Sequence, residues 1–326
     1  MKSSPSPAAG KGVLAAFGCY LAWGIFPIYW HLLAAVDATE LIAHRLLWTM
    51  FFTVFLLWWR KGFEPVYAAF STGRALRLYA LSGVLLSLNW LVFVWAVNHG
   101  HVIETSLGYF LVPLVNIALG RLVLHERLRR TQWVAIALAV AGVSWQLVQL
   151  GRLPWIALAL AGTFGTYGLL RKQSPLGSLA GLATETMLLA PLAGAFLLWR
   201  ASQGTGALGT APALTQMLVL STGIITGVPL LLFAYGARRL RLTTLGLLQY
   251  VAPTVQFALG IWFFHEAFSA VRAQSFIFIW TGLAIYTADA IWQQRSSNQS
   301  GLTASNCMVK TKVASAGMRG SEPRVP

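Results

Sequence analysis

Apolar runs of about 17 to 25 residues recur along this chain, separated by short polar breaks, and that is the length an α-helix needs to cross hydrocarbon. Ten such runs are legible, at 13–33, 41–59, 78–97, 102–124, 131–150, 154–170, 179–199, 214–237, 243–264 and 271–292. The pattern predicts an all-α membrane protein of ten transmembrane helices. The first run exceeds the roughly 7 to 15 residues of a signal-peptide core and is followed by nine more, so it is read as a retained helix. The polar opening over 1–12 and the Ser-, Gly- and Asn-rich stretch over 293–326 lack apolar periodicity and are expected to be disordered.

The pattern also repeats. "LGYFLVPLVNIALGRLVLHE" at 107–126 returns as "LLQYVAPTVQFALGIWFFHE" at 247–266, shifted by 140 positions. At the same shift "LVFVW" at 91–95 faces "LLFAY" at 231–235, "LLWWR" ending at Arg60 faces "FLLWR" ending at Arg200, and Gly142 faces Gly282. A unit of five helices, 13–150, is thus followed by a second, 151–292. Because five is odd, the second unit enters the bilayer upside down, which gives a pseudo-two-fold axis in the membrane plane and a midplane site between two gates. A duplication kept only for stability is the alternative.

Within the repeated segments, Pro113 and Pro253 sit near the centres of the fourth and ninth runs. Each removes an amide donor and clashes with the carbonyl four residues earlier, a defect of about 3 kcal/mol in a soluble helix, which frees the carbonyls of Tyr109 and Gln249. Irregular backbone at this depth is tolerated only where protein or a wet cavity satisfies it. Asn116 and Gln256 lie three residues past the prolines on roughly the same face, so a polar cavity between the halves is expected. The alternative is that the prolines only kink their helices and the amides bond across helices.

Ionisable residues inside the runs are few. His44 and Arg45 interrupt "LIAHRLLWTMFF", and the repeat mate of Arg45 is Glu185, in "LATETMLLAP". An arginine at the centre of a membrane helix costs about 2.5 to 3.5 kcal/mol on insertion scales, so either a function or snorkelling toward the headgroups accounts for it. Inversion places Arg45 and Glu185 at mirrored depths, so they are not expected to pair. Glu104 is a candidate partner for Arg45, and Arg121 or Arg171 for Glu185. Glu185 and His44 have the depth that suits a proton relay. Glu126 and Glu266 close runs four and nine at the unfavourable end of the helix dipole, so some other group must hold them, as gates or loop anchors.

Composition and charge narrow the function. The chain of 326 residues is 57% hydrophobic and 10% charged, too little charge to coat a water-facing surface. Its net charge of +15 does not gather into a nucleic-acid groove; it sorts by loop. With an inner N-terminus, the outer segments hold only Arg152, Arg200 and Arg272 of the arginines and lysines, whereas the inner ones hold groups such as Arg60, Lys61, Arg127, Arg129 and Arg130. That bias places both termini in the cytoplasm. The two cysteines, Cys19 and Cys307, offer no disulfide framework, and Cys19 reads as a structural thiol. No P-loop, nucleotide fingerprint, zinc spacing or nucleophile triad is present, and His-Glu alone is not a metal motif. No cofactor, metal or nucleic acid is expected.

Longer motifs carry a resemblance. "YLAWGIFPIYW" at 20–30, "ELIAHRLLW" at 40–48, "NWLVFVWAVN" at 89–98, "ETSLGYFLVPLVNIALG" at 104–120, "ETMLLAP" at 185–191, "GVPLLLF" at 227–233 and "RLRLTTLGLLQYVAPT" at 239–254 resemble the RarD group of the drug/metabolite transporter superfamily, built from two EamA domains. The resemblance implies ten helices in an inverted 5+5 arrangement around a central cavity, in the bacterial inner membrane, acting as a permease or exporter of drugs and small metabolites, chloramphenicol-like compounds among them. It implies His44, Arg45, Trp90, Tyr109, Asn116, Glu185, Gln249 and Tyr250 as cavity residues. Where the family usually carries Gly-Glu after the fourth helix, this chain has His125-Glu126.

The expected function is therefore a secondary transporter of small organic solutes working by alternating access, in contact with the bilayer and with an ion or proton as its possible energy source. It is not expected to be an enzyme. The alternative is an intramembrane enzyme that acts on a lipid-soluble substrate through His44, Arg45 and Glu185; a passive channel is a third reading.

Overall fold

A computed structural model describes residues 7–99, 101–150, 154–263, 273–289 and 292. Among these the regular structure is helical: α1 (Pro7–Leu32), α2 (Ala38–Trp59), the short α3 (Glu64–Ser71), α4 (Gly73–Asn98), α5 (Val102–Leu122), α6 (Arg130–Leu150), α7 (Trp155–Gln173), α8 (Ser178–Ser202), the one-turn α9 (Ala207–Thr210), α10 (Ala213–Arg239), α11 (Leu242–Gln249), α12 (Val251–Trp262) and a further helix, α13, over 273–289. Gly10–Leu32, Ala38–Trp59, Gly73–Phe93, Ser178–Thr210, Ala213–Arg239 and Leu242–Trp262 are long and apolar enough to cross a membrane, with a shorter apolar helix over Leu107–Leu122.

Boundaries follow local chemistry. The Asp37 carboxylate accepts from the backbone N–H of Thr39 (3.0 Å) and Glu40 (3.1 Å), capping α2 at its start. The first helix begins at Pro7, so part of the polar opening expected to be disordered is helical; proline suits a first turn, where its missing N–H has no partner to lose. The ninth run is broken in two at Tyr250, three residues before Pro253, whereas the fourth stays one helix through Pro113. The tail over 293–326 lies outside the described residues.

These helices are apolar nearly all round, and much of the outward surface is large and hydrophobic. Trp59 is 73% exposed, Leu192 74% and Trp262 78%. In water such a surface would be an aggregation patch; against lipid it is the expected face. The interior is built on an aromatic cluster in which Tyr20 and Trp23 of α1, Phe164 and Tyr167 of α7 and Phe233 of α10 stack edge and face at centroid distances of 5.4 to 6.4 Å.

The packing is reciprocal. Helix α1 lies against α10 and against α11 and α12, while α7, its mate at the 140-residue shift, lies against α4 and α5. Three pairs meet their own mates: α2 with α8, α5 with α11, and α6 with α13. The last pair shows the relation at atomic scale. A Cβ on Gly142 would meet the carbonyl oxygen of Ser275 at 2.8 Å, and one on Gly282 would meet that of Ala135 at 2.7 Å; Ala135 and Ser275 are themselves 140 positions apart. Residue i on j, with the mate of i on the mate of j, is the signature of a two-fold interface. Glycine is required at both places because the opposing backbone occupies the space of a side chain.

Candidate functional site

A small space lies where α2, α4, α8 and α10 come together, and most of its lining is made of repeat mates. Arg45 and Glu185, Leu46 and Thr186, Thr49 and Leu189, and Trp90 and Leu230 all face it, each pair 140 positions apart; Gly83, Leu86 and Leu182 complete the wall. A cavity lined by both members of four mate pairs straddles the pseudo-two-fold axis. It is small, with about 10 Å³ of free space, roughly what one water needs.

Arg45 forms one end. Its Nε donates to the Thr226 hydroxyl at 3.1 Å, and its guanidinium carbon lies over the rings of Trp30, at 4.7 Å from the centroid, and Trp90, at 4.0 Å. Indole faces attract the cation electrostatically. Among the described residues no carboxylate comes within ion-pair distance of it. The Glu104 side chain, the partner suggested by the sequence, lies outside what is described.

Glu185 forms the other end and is nearly fully buried. It accepts from Ser82 Oγ at 2.5 Å, from Tyr167 OH at 3.4 Å and from Arg171 Nη1 at 3.3 Å, while Arg171 Nη2 donates to the Ser178 carbonyl at 3.1 Å. Of the two arginines the sequence offered, Arg171 is the partner; Arg121 is exposed. Arg45 and Glu185 share one cavity without bonding to each other.

His44, although next to Arg45 in sequence, belongs elsewhere. A helix turns 100° per residue, which sends His44 away from the cavity, its Nε2 3.5 Å from Glu40 Oε1. Glu40 is 2% exposed; Oε2 meets Arg200 Nη2 at 3.0 Å and Oε1 accepts the Ala207 backbone N–H at 2.6 Å, tying the start of α2 to the connection between α8 and α10. Sequence reasoning missed Glu40 as a site residue, and the signal was there: a carboxylate four residues before a histidine at the mouth of an apolar run.

The amides do not line the cavity. Asn116 Nδ2 donates to Gln249 Oε1 at 3.0 Å in the buried seam between α5 and α11, Gln256 Nε2 donates to the Trp23 carbonyl at 3.1 Å, and Tyr250 OH donates to the carbonyl of Phe110, its own repeat mate, at 3.3 Å. The polar cavity expected around the prolines is thus filled by protein: a long amide side chain reaches a neighbouring helix before it reaches a void. Tyr109 is partly buried, edge-on to Phe93 at 5.8 Å. Pro113 and Pro253 flank this seam, and the carbonyl of Pro113 sits so close to Gly246 that a Cβ there would approach it to 2.8 Å.

Glu126 has the anchor that its position demands. The chain leaves α5 through His125 at φ +52, and Glu126 N–H bonds the Gly120 carbonyl at 2.9 Å. The carboxylate then crosses to the start of α11, where Oε1 accepts the Leu242 N–H at 2.6 Å and Oε2 accepts the Thr243 N–H at 3.1 Å and hydroxyl at 2.7 Å. Arg241 Nε is 3.7 Å from the same oxygen. Helix α11 has no side-chain cap of its own; a carboxylate from the other half fills the role at the favourable end of its dipole. Its mate Glu266 lies outside the described residues. Among those residues, no group of three or more His, Cys, Asp or Glu could hold a metal ion.

The chain is similar to known membrane transporters. The profile of the EamA-like transporter family matches residues 10–148. The Escherichia coli (strain K12) protein RarD is 44% identical over 289 residues, covering 89% of this chain and 98% of the relative. The Bacillus subtilis (strain 168) uncharacterized transporter YojE is 40% identical over 291 residues, covering 88% and 97%. The Pseudomonas aeruginosa chloramphenicol-sensitive protein RarD is 29% identical over 298 residues, covering 90% and 99%. A solved crystal structure of a protein 20% identical superposes with a TM-score of 0.63, covering 85% of this chain and 97% of the other, and so shares the fold.

Proposed function

Because this chain belongs to the RarD family of EamA-like transporters, and is therefore a multi-pass membrane transporter of the drug/metabolite superfamily, we propose that it moves small organic metabolites or drugs by alternating access about the cavity between Arg45 and Glu185. The reading places ten crossings in two inverted halves, 13–150 and 151–292, in the bacterial inner membrane with both termini in the cytoplasm. It takes Arg45, Trp90 and Glu185 as solute-facing. His44, Tyr109, Asn116, Gln249, Tyr250 and Gln256 form seams that must slide when the halves rock, and Pro113 and Pro253 mark where those seams bend. Chloramphenicol-like compounds are among the candidate solutes, and a proton or ion is the candidate source of energy.

The observation that carries this reading is the mate-paired lining: a cavity built equally from both halves changes its access when one half tilts against the other. Two latches stand at what inversion makes opposite ends. Glu40 joins the start of α2 to the α8–α10 connection, and Glu126 joins the end of α5 to the start of α11. With both made, the cavity is closed, and breaking either one opens one side. Glu266 is proposed, as the mate of Glu126, for the matching outer gate.

The test is transport by the full chain in sealed proteoliposomes across a panel of small acids, amines and neutral drugs. The reading expects saturable movement of at least one unmodified solute, reduced by Arg45→Ala in protein that inserts normally. Flux that never saturates, or a solute whose mass changes in detergent, overturns it in favour of a channel or an enzyme.

A further inference from the structure

We infer that the transported solute is an organic anion whose carboxylate docks on the guanidinium of Arg45; this rests on the transport reading of the cavity above and narrows it to a substrate class. A guanidinium carries five N–H donors in a rigid fork. In Arg45, Nε is used on Thr226 at 3.1 Å, and the four Nη hydrogens have no acceptor among the described residues. The Trp30 and Trp90 rings pack against the group at 4.7 and 4.0 Å from its central carbon, and the remaining Nη donors suit a carboxylate, which pairs with a guanidinium through two parallel hydrogen bonds. Arg45 also lines the cavity.

The charges agree. A cation within a membrane protein is costly unless something neutralises it, and such groups face partners or pathways. Glu185, the other charged residue on the cavity wall, is already matched by Arg171 at 3.3 Å and by Ser82 and Tyr167. Arg45, Glu185 and Arg171 together leave one positive charge, so a monoanion restores neutrality whereas a cation adds a second unmatched charge. The rest of the wall, Leu46, Leu86, Leu182, Leu189 and Leu230 with the Trp90 ring, is apolar and suits a hydrocarbon or aromatic body. The Glu40 carboxylate is held by Arg200 and the Ala207 N–H and the Glu126 carboxylate by the start of α11, and neither carboxylate lines the cavity.

The experiment uses the full chain in lipid nanodiscs and a series of matched probes with bodies of rising size: acetate, benzoate and indole-3-acetate, each against its neutral amide and its primary amine. Binding is read by thermal shift, and flux by proteoliposome counterflow. At least one carboxylate should bind ten-fold or more tightly than its amide and its amine, the preference should vanish in Arg45→Gln, and Arg45→Lys should keep part of it. The acid-against-amide comparison on the parent protein needs no variant to fold. If no carboxylate in the series outbinds its amide, or if Arg45→Gln retains the preference, the inference fails. Saturable flux of the amides alone sinks the anion assignment and leaves transport standing; tight carboxylate binding without saturable flux does the reverse.

Discussion

Asn116 and Gln249 come from opposite halves of the chain, and the 3.0 Å hydrogen bond between them is buried in the seam where α5 meets α11. They are not mates: the shift of 140 relates Asn116 to Gln256 and Gln249 to Tyr109. The seam therefore departs from symmetry just where the helix through Pro253 is broken at Tyr250 and the one through Pro113 is not.

That bond gives the first prediction. Membrane interhelical hydrogen bonds average about 0.6 kcal/mol and reach about 1.7, while an orphaned buried amide costs about 1 to 3 kcal/mol. Asn116→Leu or Gln249→Leu alone should lower unfolding stability by about 1 to 2 kcal/mol, and the double variant should recover part of the loss. Strict additivity in a double-mutant cycle, read by thermal unfolding in detergent, would mean that the bond is not made.

His125 holds φ +52, a left-handed conformation that costs an L-residue roughly 1 to 2 kcal/mol and glycine little. The Gly-Glu that the resemblance implies at this place would suit that geometry without strain. His125→Gly should stabilise the protein by up to about 1 kcal/mol, offset partly by the greater freedom of the unfolded chain. His125→Val should destabilise it. A lower melting temperature for the glycine variant would contradict the turn as described.

Removing the cap on α11 should be felt locally. Loss of a helix N-cap costs about 0.5 to 2 kcal/mol. Glu126→Ala should speed hydrogen exchange at the Leu242 and Thr243 amides, which lose their carboxylate acceptor. Unchanged exchange at both amides would rule out the cap.

Arg171 and Glu185 form a buried pair, and severing one side of such a pair costs about 3 to 5 kcal/mol because the other charge is left uncompensated. Arg171→Leu should therefore be far more damaging than Arg171→Leu combined with Glu185→Leu. The comparison is made by the yield of folded protein and its thermal stability; equal damage from the single and double changes would argue against the pairing.

Asp37 supplies a pH test outside the membrane helices. The Thr39 hydroxyl and the backbone N–H groups of Thr39 and Glu40 bond its carboxylate, and together they hold it below the usual carboxylate range. A folded pKa below the unfolded one means that the charged cap stabilises above about pH 4, and that this contribution fades as pH falls through the folded value. Asp37→Asn keeps a capping side chain but cannot titrate, so its melting temperature should depend less on pH between 3 and 5 than that of the parent. Parallel profiles would remove Asp37 from the account.

Part of the candidate cavity's lining was legible without coordinates. Arg45, Glu185 and Trp90 do face one cavity, and Arg171 was one of two partners that depth allowed for Glu185. What misled was the assumption that an amide beside a proline opens a void. Asn116, Gln249 and Gln256 are long enough to find a neighbour, and in a packed interior a satisfied hydrogen bond is worth more than a wet space. His44 misled for a simpler reason: adjacency to Arg45 in sequence is a 100° turn in a helix.

The sequence by itself determined that the chain is a stack of apolar helices written twice at a shift of 140, because bilayer thickness dictates run length and duplication leaves its copy in the letters. Only the tertiary structure decided which polar groups are spent on protein and which stay free. Partners in a helix bundle are chosen by rotation and crossing distance between elements far apart in the chain. So Glu126 reaches Leu242, Glu40 reaches Ala207, and Arg45, with no carboxylate partner among the described residues, lines the cavity.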